Sequence, residues 1–237
     1  MLQLEPYHGT NRKLVIAIDI GTTYSGVAYC ILDPGETPKV LSVTRYGCTH
    51  CLFFARTDPR FLSFPGQEGE NKSRDVKTPS ILYYDQLGRL RAVGAEATLP
   101  SIKDQAYTEE WNLVKWCVLI DIVNETRCTL KQRVRFKLHL RPSSILPGAL
   151  LPPITVNKPA DGILADYLAY IFRCARDFIS ETNPVGRQML NSGVPIDFIL
   201  SHPNGWSGPQ QNVMRRAAVS AKMIPSGDEG KIGRAHV

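Results

Sequence analysis

The sequence lacks any apolar run long enough to cross a lipid bilayer. Its aliphatic runs are all well short of the roughly 20 residues that a membrane-spanning helix needs. The first residues, MLQLEPYHGTNRK, also lack the basic region, apolar core and cleavage site of a secretory leader. The chain has 237 residues, of which 43% are hydrophobic, so it can bury a sizeable core in one large or two small domains. We therefore expect a globular protein of the cytoplasm or nucleus, with no membrane partner.

A complete cysteine pattern for metal binding is also missing. Cys48 and Cys51 form one Cys-x-x-Cys pair around His50, but no second pair and no His-x-x-x-His follows. A structural zinc site needs four ligands, so we predict no zinc. Because the sequence shows no secretory leader, we expect its six cysteines to be reduced thiols and not a disulfide framework.

Charge is not concentrated in one place. The formal net charge is +6, but the basic residues are scattered and are not interleaved with aromatic residues on one element. This distribution is typical of a solvated surface, and we predict no nucleic-acid partner. An anionic ligand such as a nucleoside triphosphate is compatible with the positive balance.

The N-terminal third is rich in strand patterns. Residues 13–20 are almost continuously aliphatic, which predicts a strand buried on both faces of a sheet. YSGVAYCIL at 24–32 predicts a second strand that ends at the turn DPGE, 33–36, and KVLSVTRY at 39–46 predicts a third. Together they predict a meander with the Gly-Thr-Thr hairpin at one edge.

The rest of the chain alternates strands and helices. TPSILYYD at 78–85 predicts a strand, and GRLRAVG at 88–94 predicts a strand or extended segment that the turn at Gly88 joins to it. AEATL at 95–99 predicts a short helix. The helical spacing of apolar residues over 159–184 predicts a long helix that is capped by Asp161 and stopped by Asn183-Pro184.

A buried strand at 196–200, broken at Pro203, then leads to a helix at 207–223 with Ser207 as its cap and Pro209 in its first turn. The order of strands, helix, strand and helix predicts an α/β fold with a mixed sheet and flanking helices.

The turn after the first strand has the composition of a phosphate site. Gly21 lets the backbone approach an anion, and Thr22 and Thr23 add hydroxyl donors to the N–H groups of the turn. Asp19, at the end of the strand, is placed to hold a hydrated Mg²⁺. The alternative is an ordinary hairpin whose turn happens to contain these residues.

IAIDIGTTYSGVAY closely resembles the first phosphate motif of the seventy-kilodalton heat-shock chaperone family, in the actin-like ATPase superfamily. KTPSILYYD at 77–85 and IDFILSHPNGWSGPQQNVMRRAA at 196–218 resemble two later segments of that family in the same order. HPNGW and FKLHLRP resemble its divergent branch, which includes the heat-shock protein twelve-A-like proteins and fungal relatives. The resemblance implies a ribonuclease H-like first lobe of an actin-like ATPase.

The same resemblance implies a set of site residues. Gly21, Thr22, Thr23 and Tyr24 match the loop that contacts the β- and γ-phosphates of ATP, and Asp19 matches the acid associated with Mg²⁺. ATP and Mg²⁺ are therefore the expected cofactors, and the implied reaction is phosphoryl transfer from ATP to water.

Two further positions come from the family alone. Its catalytic lysine is matched by Lys137 in FKLHL or, alternatively, by Lys115 in LVKW. Pro203 matches the proline that relays the nucleotide state between lobes.

The resemblance covers one lobe, residues 13–237, after a tail at 1–12. No second phosphate loop and no adenosine motif follows, so we expect very weak or absent ATP hydrolysis in the isolated chain, and we expect client proteins to bind through domains that the sequence does not contain. Two alternatives stay open, a non-catalytic fragment or scaffold and a sugar or metabolite kinase of the same superfamily.

Two stretches, 46–63 and 117–135, fit the family poorly. Their removal joins VTR to FPGQE and LVKW to FKLHLRP, which match the family better. We hypothesise that both are non-native insertions from retained introns; the alternative is a pair of genuine insertion loops.

Overall fold

A computed structural model describes residues 5–21, 23–45, 77–115, 134–135, 156–194, 196–202, 208–226 and 233–236. Within these residues the chain forms two β-sheets with flanking helices, which confirms the predicted α/β class and the mixed sheet. The strands are β1 Lys13–Ile20, β2 Tyr24–Leu32, β3 Leu41–Ser42, β4 Lys77–Pro79, β5 Ile81–Tyr84, β6 Leu90–Val93, β7 Asn112–Lys115, β8 Val134–Arg135, β9 Ile196–His202 and β10 Gly233–His236. The α-helices are α1 Pro100–Thr108, α2 Ala160–Thr182, α3 Pro184–Asn191 and α4 Gly208–Ser220, and a 3₁₀ turn covers Glu96–Thr98.

The first sheet has the order β10-β9-β1-β2-β3, and β4 also pairs with β2. β1 runs antiparallel to β2 and parallel to β9, and β9 runs parallel to β10. The prediction that the Gly-Thr-Thr hairpin lies at one edge is wrong, because β9 flanks β1 and both β3 and β4 flank β2. The hairpin is therefore central in the sheet.

β1 is fully buried on one face only, which corrects the prediction of two buried faces. Leu14, Ile16, Ile18 and Ile20 are buried in the core with α2, whereas Ala17 is half-buried and Asp19 is exposed. Alternate residues of a strand point to opposite faces. The aliphatic run looked uniform in sequence because the middle of its second face carries Val15 and Ala17, and the charged Lys13 and Asp19 stand only near its ends.

The segment 78–85 is not one strand, as predicted, but two. β4 belongs to the first sheet and β5 to the second, which has the order β6-β5-β7-β8. The change of sheet happens at Ser80, whose N–H donates to the carbonyl of Thr23 at 2.9 Å. Pro79, which has no N–H to continue a ladder, precedes this junction.

Two further boundaries differ from the predictions. The third strand shrinks from 39–46 to Leu41–Ser42, after which Val43 adds one backbone bond to Val27. β9 extends two residues beyond the predicted 196–200 and so includes Ser201 and His202. α1 and β7 were not predicted.

The long helix α2 begins earlier than its predicted cap. Its N-cap is Pro159 and not Asp161, because the carbonyl of Pro159 already accepts a bond from Ile163 N at 3.1 Å. Asn183-Pro184 ends α2 as predicted, and it also starts α3, where the Asn183 side chain accepts a bond from Gly186 N at 2.9 Å. A proline in the first turn of a helix loses no intrahelical bond.

The core lies between the first sheet and α2. The helical spacing of apolar residues predicted for 159–184 places one face of α2 in the core. On that face Leu164, Tyr167, Leu168, Ile171 and Ala175 are buried and Phe178 is partly buried. Phe172 of α2 meets Phe198 of β9 edge to face with ring centroids 5.3 Å apart. Burial of each large apolar side chain contributes about 1.5–3 kcal/mol.

A polar cluster joins the second sheet to α2. The hydroxyl of Tyr84, on β5, donates to Asp166 at 2.6 Å, and the ammonium of Lys158 binds the same carboxylate oxygen. The Lys158 ammonium also lies 5.5 Å from the centre of the Tyr84 ring. Burial first, and then the Asp166 carboxylate, raise the pKa of Tyr84 well above its ordinary value, so its hydroxyl remains a donor.

Candidate functional site

The turn between β1 and β2 is a tight hairpin that requires glycine at its first position. Ile20 pairs with Ser25, and only three residues, 21–23, connect β1 to β2. A Cβ atom on Gly21 would collide with the backbone carbonyl oxygen of Tyr24. A side chain at position 21 would therefore force the turn open, so the geometry of the turn itself requires glycine.

Ser80 holds this turn at both ends. Its hydroxyl donates to the carbonyl oxygen of Gly21 at 3.0 Å, and its backbone N–H donates to the carbonyl oxygen of Thr23 at 2.9 Å. Ser80 is 1% exposed, so the residue that makes both bonds is itself buried. The turn is therefore preorganised by a residue of the β4–β5 junction and not by its own strands alone.

A layer of buried hydroxyl groups connects Ser80 to α2. Ser25 and Ser80 share a hydrogen bond of 2.8 Å, and the hydroxyl of Tyr167 donates to the carbonyl of Pro79 at 3.2 Å and to Ser80 at 3.4 Å. Burial raises the pKa of Tyr167 to about 12, although hydrogen bonding with Ser25 and Ser80 opposes that rise. Tyr167 is therefore a neutral donor at any physiological pH.

The carboxylate of Asp19 lies beside the turn and has two different partners. Ser201 donates to its Oδ1 at 2.7 Å, and the ammonium of Lys77 lies 3.5 Å from its Oδ2. Asp19 and Ser201 meet because β1 and β9 are parallel and Ile18 is in register with Leu200, which brings their carboxyl ends together. The Asp19 side chain is 50% exposed and so remains accessible to a ligand.

An open cleft of about 310 Å³ begins at this carboxylate and runs along the half-exposed face of the first sheet. Asp19, Lys77 and Ser201 line one end, and small or aliphatic residues of β1, β2 and β9 line the rest, among them Ala17, Gly26, Ala28 and Ile199. The cleft therefore has one charged end next to the turn and an apolar floor.

The structure brings some of the sequence-predicted site residues together. Asp19, Gly21, Thr23 and Tyr24 adjoin one another at the end of the hairpin, and the Tyr24 side chain is 52% exposed. Thr22, Lys137 and Pro203 lie outside the described residues, as does the 46–63 stretch. Of the 117–135 stretch only Val134–Arg135 is described, as β8.

Lys115, the alternative to Lys137 as the match to the family's catalytic lysine, is the last residue of β7. It pairs with Ile81, the residue directly after Ser80. The backbone of Lys115 therefore lies opposite the residue that follows Ser80, the serine that holds the turn.

Sequence reasoning did not identify Lys77, Ser80, Ser201 or Tyr167 as parts of the site. One signal was available, since Lys77 and Ser80 stand in the KTPSILYYD segment that resembles the family. Ser201 stands in the 196–218 segment that also resembles the family, and Tyr167 follows the helical spacing of 159–184. Neither pattern shows that these side chains reach the site, because that depends on strand register and helix packing.

The donor groups present suit Mg²⁺ bound together with phosphate and not a free metal ion. The described residues contain no group of three or more His, Cys, Asp or Glu side chains that could coordinate a metal by themselves. Mg²⁺ is commonly held through one or two carboxylates, water and substrate phosphates. Asp19 could supply such a carboxylate, so the site fits Mg²⁺ that arrives with a nucleotide.

Comparison with protein-family models and with curated proteins found no match to this chain. No helix in the described part of the chain is long and apolar enough to cross a membrane. Cys30 and Cys174, the two cysteines among the described residues, are buried free thiols.

Proposed function

We propose that this chain is the ATP-binding lobe of a heat-shock chaperone-like ATPase of the actin-like superfamily. In this proposal the turn from Gly21 to Tyr24 holds the phosphates of Mg-ATP. The observation that carries the proposal is the turn itself. This hairpin requires glycine at position 21, is held by hydrogen bonds from Ser80 and adjoins the exposed carboxylate of Asp19. The resemblance of the surrounding sequence to the family's first phosphate motif agrees with this geometry.

The charges at the site favour a nucleotide that carries a cation. A carboxylate beside a phosphate-binding turn repels the phosphates unless a cation lies between them. A divalent ion, bound through water to Asp19, would neutralise both groups. For this reason we propose Mg-ATP and not free ATP as the ligand.

Each described residue then has a separate task. Gly21 keeps the backbone approach open, Thr23 offers a hydroxyl and a backbone N–H to phosphate oxygens, and Asp19 orients the hydrated metal. Ser80 and Tyr167 touch neither ligand and act as positioning residues. In the family, Mg²⁺ and a lysine neutralise charge on the transferred phosphoryl group, and Lys137 and Lys115 remain the two predicted candidates.

Isothermal titration of the full chain with Mg-ATP tests the proposal. We expect Gly21→Ala to weaken binding at least about tenfold, because the added methyl forces the turn open. Gly208→Ala is the matched control, since a Cβ atom at position 208 meets open space. Failure of the wild-type chain to bind Mg-ATP, or equal affinities for Gly21→Ala and wild type, would refute the proposal. Circular dichroism must show that both variants are folded.

A further inference from the structure

Lys77 is anchored at its backbone, but its charged end is exposed. The backbone of Lys77 pairs with Gly26 in the β2–β4 ladder. The next residue, Thr78, is fully buried, and its hydroxyl accepts a bond from Ala95 N at 3.2 Å. The Lys77 side chain itself is 53% exposed. Its ammonium can therefore change partners without any change in the sheet.

The present partner of that ammonium is the group that a metal would use. The Lys77 ammonium lies 3.5 Å from Oδ2 of Asp19, whereas Oδ1 is engaged by Ser201. A divalent cation near Oδ2 repels the Lys77 ammonium. The cation can also replace the ammonium as the partner of the carboxylate, because a single exposed ion pair contributes only about 1 kcal/mol or less. The released ammonium then lies at the charged end of the cleft, next to the turn.

We propose that Lys77 is an exchangeable cation of this site. Without a ligand it neutralises Asp19, and when a divalent ion arrives with a nucleoside polyphosphate it moves from the carboxylate to a phosphate oxygen. This inference rests on the proposed function, because it takes Mg-nucleotide as the ligand. Two consequences follow: Lys77 weakens the binding of a metal ion alone, and it strengthens the binding of the metal with nucleotide.

The chain contains a matched control at the other end of the same sheet face. The ammonium of Lys13 binds Asp197 at 3.1 Å, and both side chains are about half exposed, as at the Lys77–Asp19 pair. Lys13 lies six positions before Asp19 on β1, a separation of about 20 Å along the strand. Lys13→Met therefore removes the same charge and an equivalent ion pair away from the turn.

The test compares wild type, Lys77→Met, Lys77→Arg and Lys13→Met in two titrations. The binding of Mn²⁺ alone is measured from the electron paramagnetic resonance signal of the free ion. The binding of Mg-ATP is measured by calorimetry. We expect Lys77→Met to bind Mn²⁺ about two- to fivefold more tightly than wild type. We expect the same variant to bind Mg-ATP about tenfold more weakly. Lys77→Arg should retain most of the Mg-ATP affinity, and Lys13→Met should match wild type in both titrations.

A double variant shows whether the metal effect acts through Asp19. If Lys77 competes with the metal for the Asp19 carboxylate, Lys77→Met should raise the Mn²⁺ affinity of wild type but not that of Asp19→Asn. The double variant Asp19→Asn/Lys77→Met should then bind Mn²⁺ no more tightly than Asp19→Asn alone. If Lys77→Met binds Mg-ATP with the same affinity as wild type, the inference is overturned and the proposed function is unaffected. Equal losses in Lys77→Met and Lys13→Met also overturn it, because they reflect net charge alone. Absence of Mg-ATP binding by wild type overturns both.

Discussion

The hydroxyl of Ser80 donates to the carbonyl oxygen of Gly21 at 3.0 Å, across a sequence separation of 59 residues. This bond joins the point where the chain changes sheets to the turn that we propose as a phosphate site. The same serine binds Ser25 and receives a bond from Tyr167 on α2. One buried residue thus couples the turn, both sheets and the longest described helix.

We expect Ser80→Ala to lower the free energy of unfolding by about 1–3 kcal/mol, because it removes the hydroxyl that binds the carbonyl of Gly21 and the buried hydroxyl of Ser25. If the turn binds Mg-ATP, its affinity should fall in the same variant. Urea unfolding and calorimetry measure the two effects. Ser192→Ala is a suitable control, since it removes a hydroxyl bond to Met189 O at the end of α3, away from the turn. Wild-type stability in Ser80→Ala would contradict the anchoring role.

The elements that the sequence predicts well are those whose signals are local. The aliphatic periods of β1, β2, α2 and β9 identify each element within a few residues, because burial on one face imposes the spacing. The strand predicted at 78–85 fails at Ser80 for a physical reason. Both halves have strand character, and nothing within eight residues specifies that they belong to different sheets.

The residues of the candidate site also differ in whether their role has a local signal in the sequence. Asp19 and Gly21 are recognisable in sequence, because a carboxylate and a glycine at the end of an apolar run are a local pattern. Ser201 reaches Asp19 across 182 residues through the parallel register of β1 and β9, and no local pattern encodes that register. Lys77 likewise becomes a partner of Asp19 only when β4 pairs with β2.

Two glycines with positive φ angles should respond differently to substitution by alanine. Gly35 and Gly94 have φ angles of +79° and +61°, which cost a non-glycine residue about 1–2 kcal/mol. A Cβ on Gly35 meets open space, whereas one on Gly94 would press into Tyr170 and Thr78. We therefore expect Gly94→Ala to lose about 1–3 kcal/mol more than Gly35→Ala in urea unfolding. Equal losses would show that the core around Gly94 relaxes freely.

Alkaline pH should destabilise the protein through buried tyrosines. Burial raises the pKa of Tyr167 to about 12 from an ordinary value of 10. The folded state therefore holds the proton more tightly than the unfolded state, so this stabilisation is complete below pH 10 and is lost as the pH rises towards 12. We expect Tyr167→Phe to flatten part of the decline in unfolding free energy over that interval. Tyr107→Phe should leave the decline unchanged, since its ring is 87% exposed.

Acid pH should act through Asp85, which closes the turn between β5 and β6. Burial alone would raise the pKa of this carboxyl, but bonds from Arg89 N at 2.8 Å, Arg89 Nε at 2.9 Å and Leu87 N at 2.9 Å outweigh it and lower the pKa. The folded state therefore favours the ionised form. Its contribution to stability is present above the unfolded pKa of about 3.9 and disappears as the pH falls through the lower folded value.

Asp85→Asn removes this contribution. We expect the variant to be less stable than wild type at pH 7, and we expect the difference to narrow below pH 4, where the wild-type carboxyl becomes protonated and loses its charged bonds to Arg89 and Leu87. Unfolding curves in urea between pH 2 and pH 7 measure both effects. Asp104→Asn provides the control, because Asp104 is an exposed carboxylate on α1. A stability difference between wild type and Asp85→Asn that stays constant down to pH 2 would show that Asp85 acts through the shape of its turn and not through its charge.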